Sequence, residues 1–128
     1  MPAVVMSISE NDMTAHARGL ATEKAAALLL RLKGYKILAQ RYKTPSGEID
    51  IIAAKGRTVS FVEVKRRRDT DTALYAISPR AQRRITQTAE IFLAENPQYA
   101  DYNMRFDVIS QRSGHFPMHH KNMWQNPV

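Results

Sequence analysis

Beyond the Lys55 and Arg57 of its turn, the apolar stretch GEIDIIAAKGRTVSFVEVK, running from Gly47 to Lys65, carries four ionisable residues within its strands: Glu48, Asp50, Glu63 and Lys65. Ionised groups are seldom buried unless they are paired or bind a metal, so these four either share a wet face or form a site. A two-residue turn at Lys55-Gly56 places Ile52 opposite Val59, Asp50 opposite Phe61 and Glu48 opposite Glu63. Side chains alternate along a strand and cross-strand partners share a face, so all four charges fall on one side. Asp50 and Glu63 are then diagonal neighbours, roughly 6–8 Å apart at the backbone. Two carboxylates that close repel each other without a cation. A divalent ion, Mg²⁺ or Mn²⁺, removes that conflict and supplies charge for chemistry. Lys65 stays on the same face beside it. The opposite face, with Ile49, Ile51, Val62 and Val64, can pack on a helix. The alternative is a solvated sheet face on which Lys65 neutralises a carboxylate.

The elements that must position these residues are legible from periodicity. Residues 1–12 read as a flexible N-terminus. A helix follows over AHARGLATEKAAALLLRLKG, with Leu20, Ala21, Ala25, Leu28, Leu29 and Leu32 as its apolar stripe and Gly34 as its stop. YKILAQRYK reads as a strand leading to a turn at Thr44–Gly47. The two strands of the quoted hairpin come next, and then a polar loop, RRRDTDTALYA. Ser78-Pro79 starts a second helix, with Ser as N-cap and Pro at the first helical position. It buries Ala81, Ile85, Ala89 and Phe92 and stops at Asn96-Pro97. RFDVIS is a last main strand, and the tail HFPMHHKNMWQNPV is ambiguous. The order helix-strand-strand-strand-helix-strand implies an α/β fold, a mixed central sheet flanked by helices. Residues 13–128 read as one domain, with a core over about 19–110 and a tail over 111–128.

The 128-residue chain carries 19 Lys and Arg against 12 Asp and Glu, a net charge of +7. That excess favours a polyanionic partner, above all nucleic acid. No run reaches the roughly 18 apolar residues of a membrane span. The absence of cysteine excludes disulfides and thiolate metal sites and fits a reducing cytoplasm.

Asp50, twelve residues, then Glu63-Val64-Lys65 resembles the PD-(D/E)xK nuclease motif. Taken with GEIDIIA, FVEVK, a helix ending in LKGYKIL, SPRAQRR and RFDVI, the chain from Gly19 to Ser110 resembles the YraN-like family of small bacterial predicted endonucleases. That family is related to archaeal Holliday junction resolvases. The resemblance implies a restriction-endonuclease-like fold and metal-dependent hydrolysis of DNA phosphodiesters, with branched DNA as a candidate substrate. It makes Asp50 and Glu63 the metal carboxylates. Lys65 becomes the lysine that activates water or steadies phosphate charge, and Glu23 a helix glutamate pointing at the metal. Gln82 becomes a polar residue near the site, and Glu48 an additional ligand or a residue that holds the turn. Ala81 departs from the pattern, since many relatives carry lysine there. Glu23 and Gln82 both border buried stripes, and each reads equally well as ordinary surface polarity.

Two basic groups flank the motif: Lys65, Arg66, Arg67 and Arg68, and the helical face of Arg80, Arg83 and Arg84. Both suit contact with backbone phosphates, which gives affinity without sequence readout. His115 and His119 have a spacing that can hold zinc on a helix, but Pro117 lies between them, and tail histidines of no special role are the simpler reading. Ser60, Ser78 and the histidines form no nucleophile-triad motif. Two rivals to the nuclease stand beside it: a nucleic-acid-binding module without turnover, and an accessory protein whose charges serve assembly. A homodimer is compatible with action on two related strands.

Overall fold

The computed structural model describes residues 10–67, 77–112 and 114–125, with side chains from Gly19 onward except that of Arg67. Helix α1 spans Glu10–Leu32, and strands β1 (Lys36–Thr44), β2 (Gly47–Lys55) and β3 (Thr58–Arg67) follow as a meander. Helix α2 (Pro79–Glu95) and a short 3-10 turn (Pro97–Tyr99) carry the chain across to β4 (Asn103–Arg112). Strand β5 (Met118–Trp124) completes a five-stranded sheet in the order β1-β2-β3-β4-β5. Only the β3–β4 pairing is parallel, with Phe61 level with Phe106 and Val62 with Asp107. Parallel neighbours need a long crossover, and α2 provides it. The mixed sheet with helices on its faces is the architecture expected from the element order, consistent with a nuclease-like α/β fold. The tail, ambiguous in sequence, supplies the fifth strand.

Each face of the sheet has its own core. On the α2 face, Ile52, Val59, Phe61, Phe106, Val108 and Trp124 meet Ile85, Ala89 and Phe92 of the helix. On the α1 face, Ile51, Ala53, Val62 and Ile109 meet Ala26, Ala27 and Leu30. The buried stripe of α1 is therefore rotated from the expected one, and Leu28 and Leu32 lie exposed. Paired alanines let the helix approach the sheet more closely than leucines would. The helix stops as expected at Gly34, at φ 92°. There the Tyr35 amide bonds the Leu30 carbonyl and the Gly34 amide bonds the Arg31 carbonyl, the bond pair of a Schellman stop. Ser78 caps α2, its hydroxyl accepting from the Ala81 amide at 3.1 Å.

The β2–β3 hairpin turns one position later than expected. Lys55 pairs with Thr58, so Gly56-Arg57 form the turn and Ile52 faces Phe61. Gly56 is the first central residue, at φ 60°, the place where a type II′ turn demands glycine. The Lys55-Gly56 reading had glycine second. The paired register ends at Ile51–Val62, and counting on brings Asp50 level with Glu63 instead of diagonal to it. A second departure lies beside it. Ile49 joins Ile52 in the α2-face core while Ile51 joins the α1-face core, so strict alternation breaks between them. Across on β1, Arg41 sits in the left-handed region at φ 52°, between the Gln40–Ile51 and Tyr42–Ile49 pairs. The irregularity thus crosses both strands at Asp50. Ile49 does not share a face with Val62 and Val64.

Candidate active site

Asp50 stands where β2 leaves β3. Its Oδ2 accepts the Val64 amide at 2.8 Å, filling a position where the ladder would otherwise offer a carbonyl. Beside it Glu63 projects toward α2. Gly47, Glu48, Glu63, Ala81, Arg84 and Ile85 line a cleft of about 150 Å³ between the strands and the helix. The floor of that cleft depends on Gly47, where an added Cβ would stand 3.3 Å from Thr88 Oγ1.

The electrostatics of the cleft are set by the two acids. Burial, then the hydrogen bond and charge of Asp50, push the Glu63 carboxyl far above the usual carboxylate range. Glu48 pushes the same way and Lys65 opposes. Without a cation, ionising both acids is unfavourable, and Glu63 is pushed toward its protonated form. A hard divalent ion takes oxygen ligands and replaces that proton. The chemistry of the pair thus fits Mg²⁺ or Mn²⁺, and Asp50 and Glu63 would hold it. Among the described residues no cluster of three or more His, Cys, Asp and Glu is placed to hold a metal, so the remaining positions would fall to water and substrate. His115 and His119 form no such cluster either.

The other residues singled out in the sequence are placed less uniformly. Glu23 does not join the pair. Both its oxygens are engaged by Arg41, at 3.2 Å from Nε and 2.8 Å from Nη2. Arg41 also feels the charges of Glu48 and Asp50, so the ion pair stands at the edge of the site. Gln82 is occupied in the start of α2, donating from Nε2 to the Ile77 carbonyl at 3.0 Å. Arg80, Arg83 and Arg84 are exposed, and so is Arg66. Arg68 and the Arg67 side chain lie outside the described residues, as does the loop after them.

Sequence reasoning missed a second polar centre, on the α1 face. Asp107 of β4 is fully buried, and its carboxylate accepts five hydrogen bonds. Oδ1 takes Arg105 Nε at 2.9 Å and the Asn122 amide at 3.0 Å. Oδ2 takes Ser60 Oγ at 2.5 Å, Arg105 Nη2 at 2.8 Å and His119 Nε2 at 2.8 Å. Burial raises its pKa, but these donors outweigh burial and hold it well below the carboxylate range. The sequence signal was slight: one acid in RFDVIS, where a half-exposed strand is free to carry it.

A five-stranded mixed sheet with a carboxylate pair at a strand divergence and a basic helix over it defines a small α/β protein with an acidic cleft. The chain belongs to the uncharacterised protein family UPF0102, whose model matches residues 22–110. It is similar to a UPF0102 protein of Parvibaculum lavamentivorans, 43% identical over 113 residues, covering 88% of this chain and 85% of the relative. A UPF0102 protein of Rhodopseudomonas palustris strain BisB5 is 48% identical over 101 residues, covering 79% and 77%. One from Bradyrhizobium sp. strain BTAi1 is 50% identical over 101 residues, covering 79% and 74%. No described helix is long and apolar enough to cross a membrane.

Proposed function

We propose that the protein is a metal-dependent endonuclease that hydrolyses nucleic-acid phosphodiesters, with DNA as the substrate. The observation that carries this reading is the Asp50–Glu63 pair, in which burial and mutual repulsion oppose ionisation of both acids unless a cation is present. When bound, Mg²⁺ or Mn²⁺ supplies a Lewis acid and lowers the pKa of water. Asp50, fixed by the Val64 amide, and Glu63 orient that ion. Lys65 sits within electrostatic reach of Glu63 and steadies either an attacking water or the charge growing on phosphate. Arg84 lines the cleft and, with Arg80 and Arg83, offers cations to the backbone on either side. Branched DNA is the substrate geometry that the resemblance to the YraN-like family adds.

One observation favours the reading without turnover. Arg41 engages both oxygens of Glu23, which leaves Asp50 and Glu63 as metal carboxylates where the resemblance implies a third in Glu23. The experiment compares Asp50→Asn, Glu63→Gln and Lys65→Met on linear, flapped and four-way DNA with Mg²⁺, Mn²⁺ or EDTA. The first two should weaken Mn²⁺ binding in calorimetry and reduce single-turnover cleavage by at least about 100-fold. Lys65→Met should keep metal affinity and lose rate. Metal binding with no cleavage of any DNA by the wild type would leave the binding module standing. Wild-type Mn²⁺ affinity in both carboxylate variants would remove the site.

A further inference from the structure

The buried Asp107 centre organises a ring of cations at the surface of the α1 face. Since a carboxylate only accepts, His119 carries its proton on Nε2 toward Asp107. Its Nδ1 is then an acceptor, and Lys33 Nζ donates to it at 2.5 Å. Tyr35 follows, buried, its hydroxyl accepting from Arg105 Nη2 at 2.6 Å. The ring of Tyr35 meets His119 edge-on at 5.8 Å. It also lies 5.5 Å from the Lys55 ammonium and 5.9 Å from the Arg105 guanidinium. The end of α1, the β2–β3 hairpin and β4 thus bring Lys33, Lys55 and Arg105 together around Tyr35 and His119, and Lys121 of β5 lies within electrostatic reach of Lys33.

These cations crowd one another. Burial lowers the pKa of Lys33, and the charges of Lys121, Lys55 and Arg105 lower it further, against a single opposing pull from Asp107. Asp107 itself is fully buried and already holds five donors, so the outer lysines share none of its hydrogen bonds. Lys55 and Lys121 are exposed. Like charges held close by a rigid buried scaffold form a preorganised seat for an anion with several oxygens, since the repulsion is already present before the ligand arrives.

We propose that Lys33, Lys55 and Lys121, clustered on the α1 face beside Tyr35 and His119, form a second phosphate-binding site that takes a backbone phosphate of nucleic acid. The inference rests on the nucleic-acid part of the proposed function but not on turnover. Glu63 and the α2 arginines lie across the sheet from it, so the two sites meet different segments of backbone.

The test uses Lys55→Gln with Lys121→Gln in the full chain, since both side chains are exposed and outside the buried hydrogen bonds. Arg80→Ala with Arg84→Ala is the parallel arm. Binding of a short DNA duplex without metal is measured over a range of salt, with inorganic phosphate as competitor. The lysine variant should bind several-fold more weakly at low salt, and its log K against log salt slope should be shallower by about 1 to 2. Its melting temperature and Mn²⁺ affinity should match wild type. An unchanged slope in the folded variant overturns the site. A lower melting temperature with an unchanged slope also overturns it, and assigns the lysines to the carbonyl end of α1. Phosphate that protects the protein thermally through these lysines, yet leaves duplex binding untouched, overturns the nucleic-acid assignment. If only the arginine variant changes the slope, this inference falls and the proposed function stands. If the lysine variant changes the slope but no DNA is cut, the reverse holds.

Discussion

Glu63 is the residue on which the cleft turns. In the unfolded chain it ionises in the ordinary glutamate range, whereas in the fold burial and Asp50 hold its proton far higher. The folded state then binds more protons above about pH 4.3, so the contribution is complete below that range and is lost as pH rises toward the folded value. Without metal, stability should decline as pH rises above the ordinary glutamate range. Glu63→Gln, which mimics the protonated form, should flatten that decline, and Mn²⁺ should restore wild-type stability at the high end. Parallel melting curves in the two proteins would show that Glu63 is not the titrating group. Arg41 makes a separate claim. If it withholds Glu23 from the cleft, Arg41→Asn, which tolerates the left-handed backbone and carries no charge, should tighten Mn²⁺ binding several-fold. The melting temperature should change little, because exposed ion pairs contribute little to stability. Unchanged Mn²⁺ affinity would assign the pair to the surface alone.

At the level of elements, the helices and the first four strands were legible because each rests on a local rule. The Ser78-Pro79 start, the Gly34 stop and the alternation in VSFVEV are examples. Asp50 and Glu63, by contrast, were expected to be neighbours but in a diagonal register that the hairpin does not adopt. Three features were not legible, because each depends on partners remote in sequence. Gly56 fits either central turn position, and which one it takes is decided by how Phe61 and Ile52 pack. The stripe of α1 has apolar residues almost all round, so the sheet selects Ala26, Ala27 and Leu30 over the leucines. The tail has no strong strand signal. It becomes β5 because Trp124 stacks on Phe106 at 5.0 Å and lies 9% exposed, and because His119 reaches Asp107. Trp124→Ala should therefore cost about 3–5 kcal/mol, read as a lower denaturation midpoint, with Mn²⁺ affinity preserved in the folded fraction. A midpoint equal to wild type would mean that β5 is only an appendage.

Across the whole molecule, exposed positive charge occupies both faces of the sheet, with Arg80, Arg83 and Arg84 on the α2 face and Lys55 and Lys121 on the α1 face. The sheet itself has a history written into its order. Strands β1, β2 and β3 are joined by tight turns, whereas β4 reaches β3 only after the chain has travelled from Arg67 to Asn103. Local pairings close early, and a parallel partner separated by a helix closes late. The carboxylates of Asp50 and Glu63 should then come together in the transition state for folding before α2 covers them. For a time the nascent cleft would be open to water on one side, with its repulsion still screened. Conservative substitutions in the β2–β3 hairpin, such as Ile52→Val, should slow folding, while Val108→Ala in β4 should chiefly speed unfolding. The reverse assignment in chevron plots would mean that the crossover, and not the hairpin, nucleates the chain.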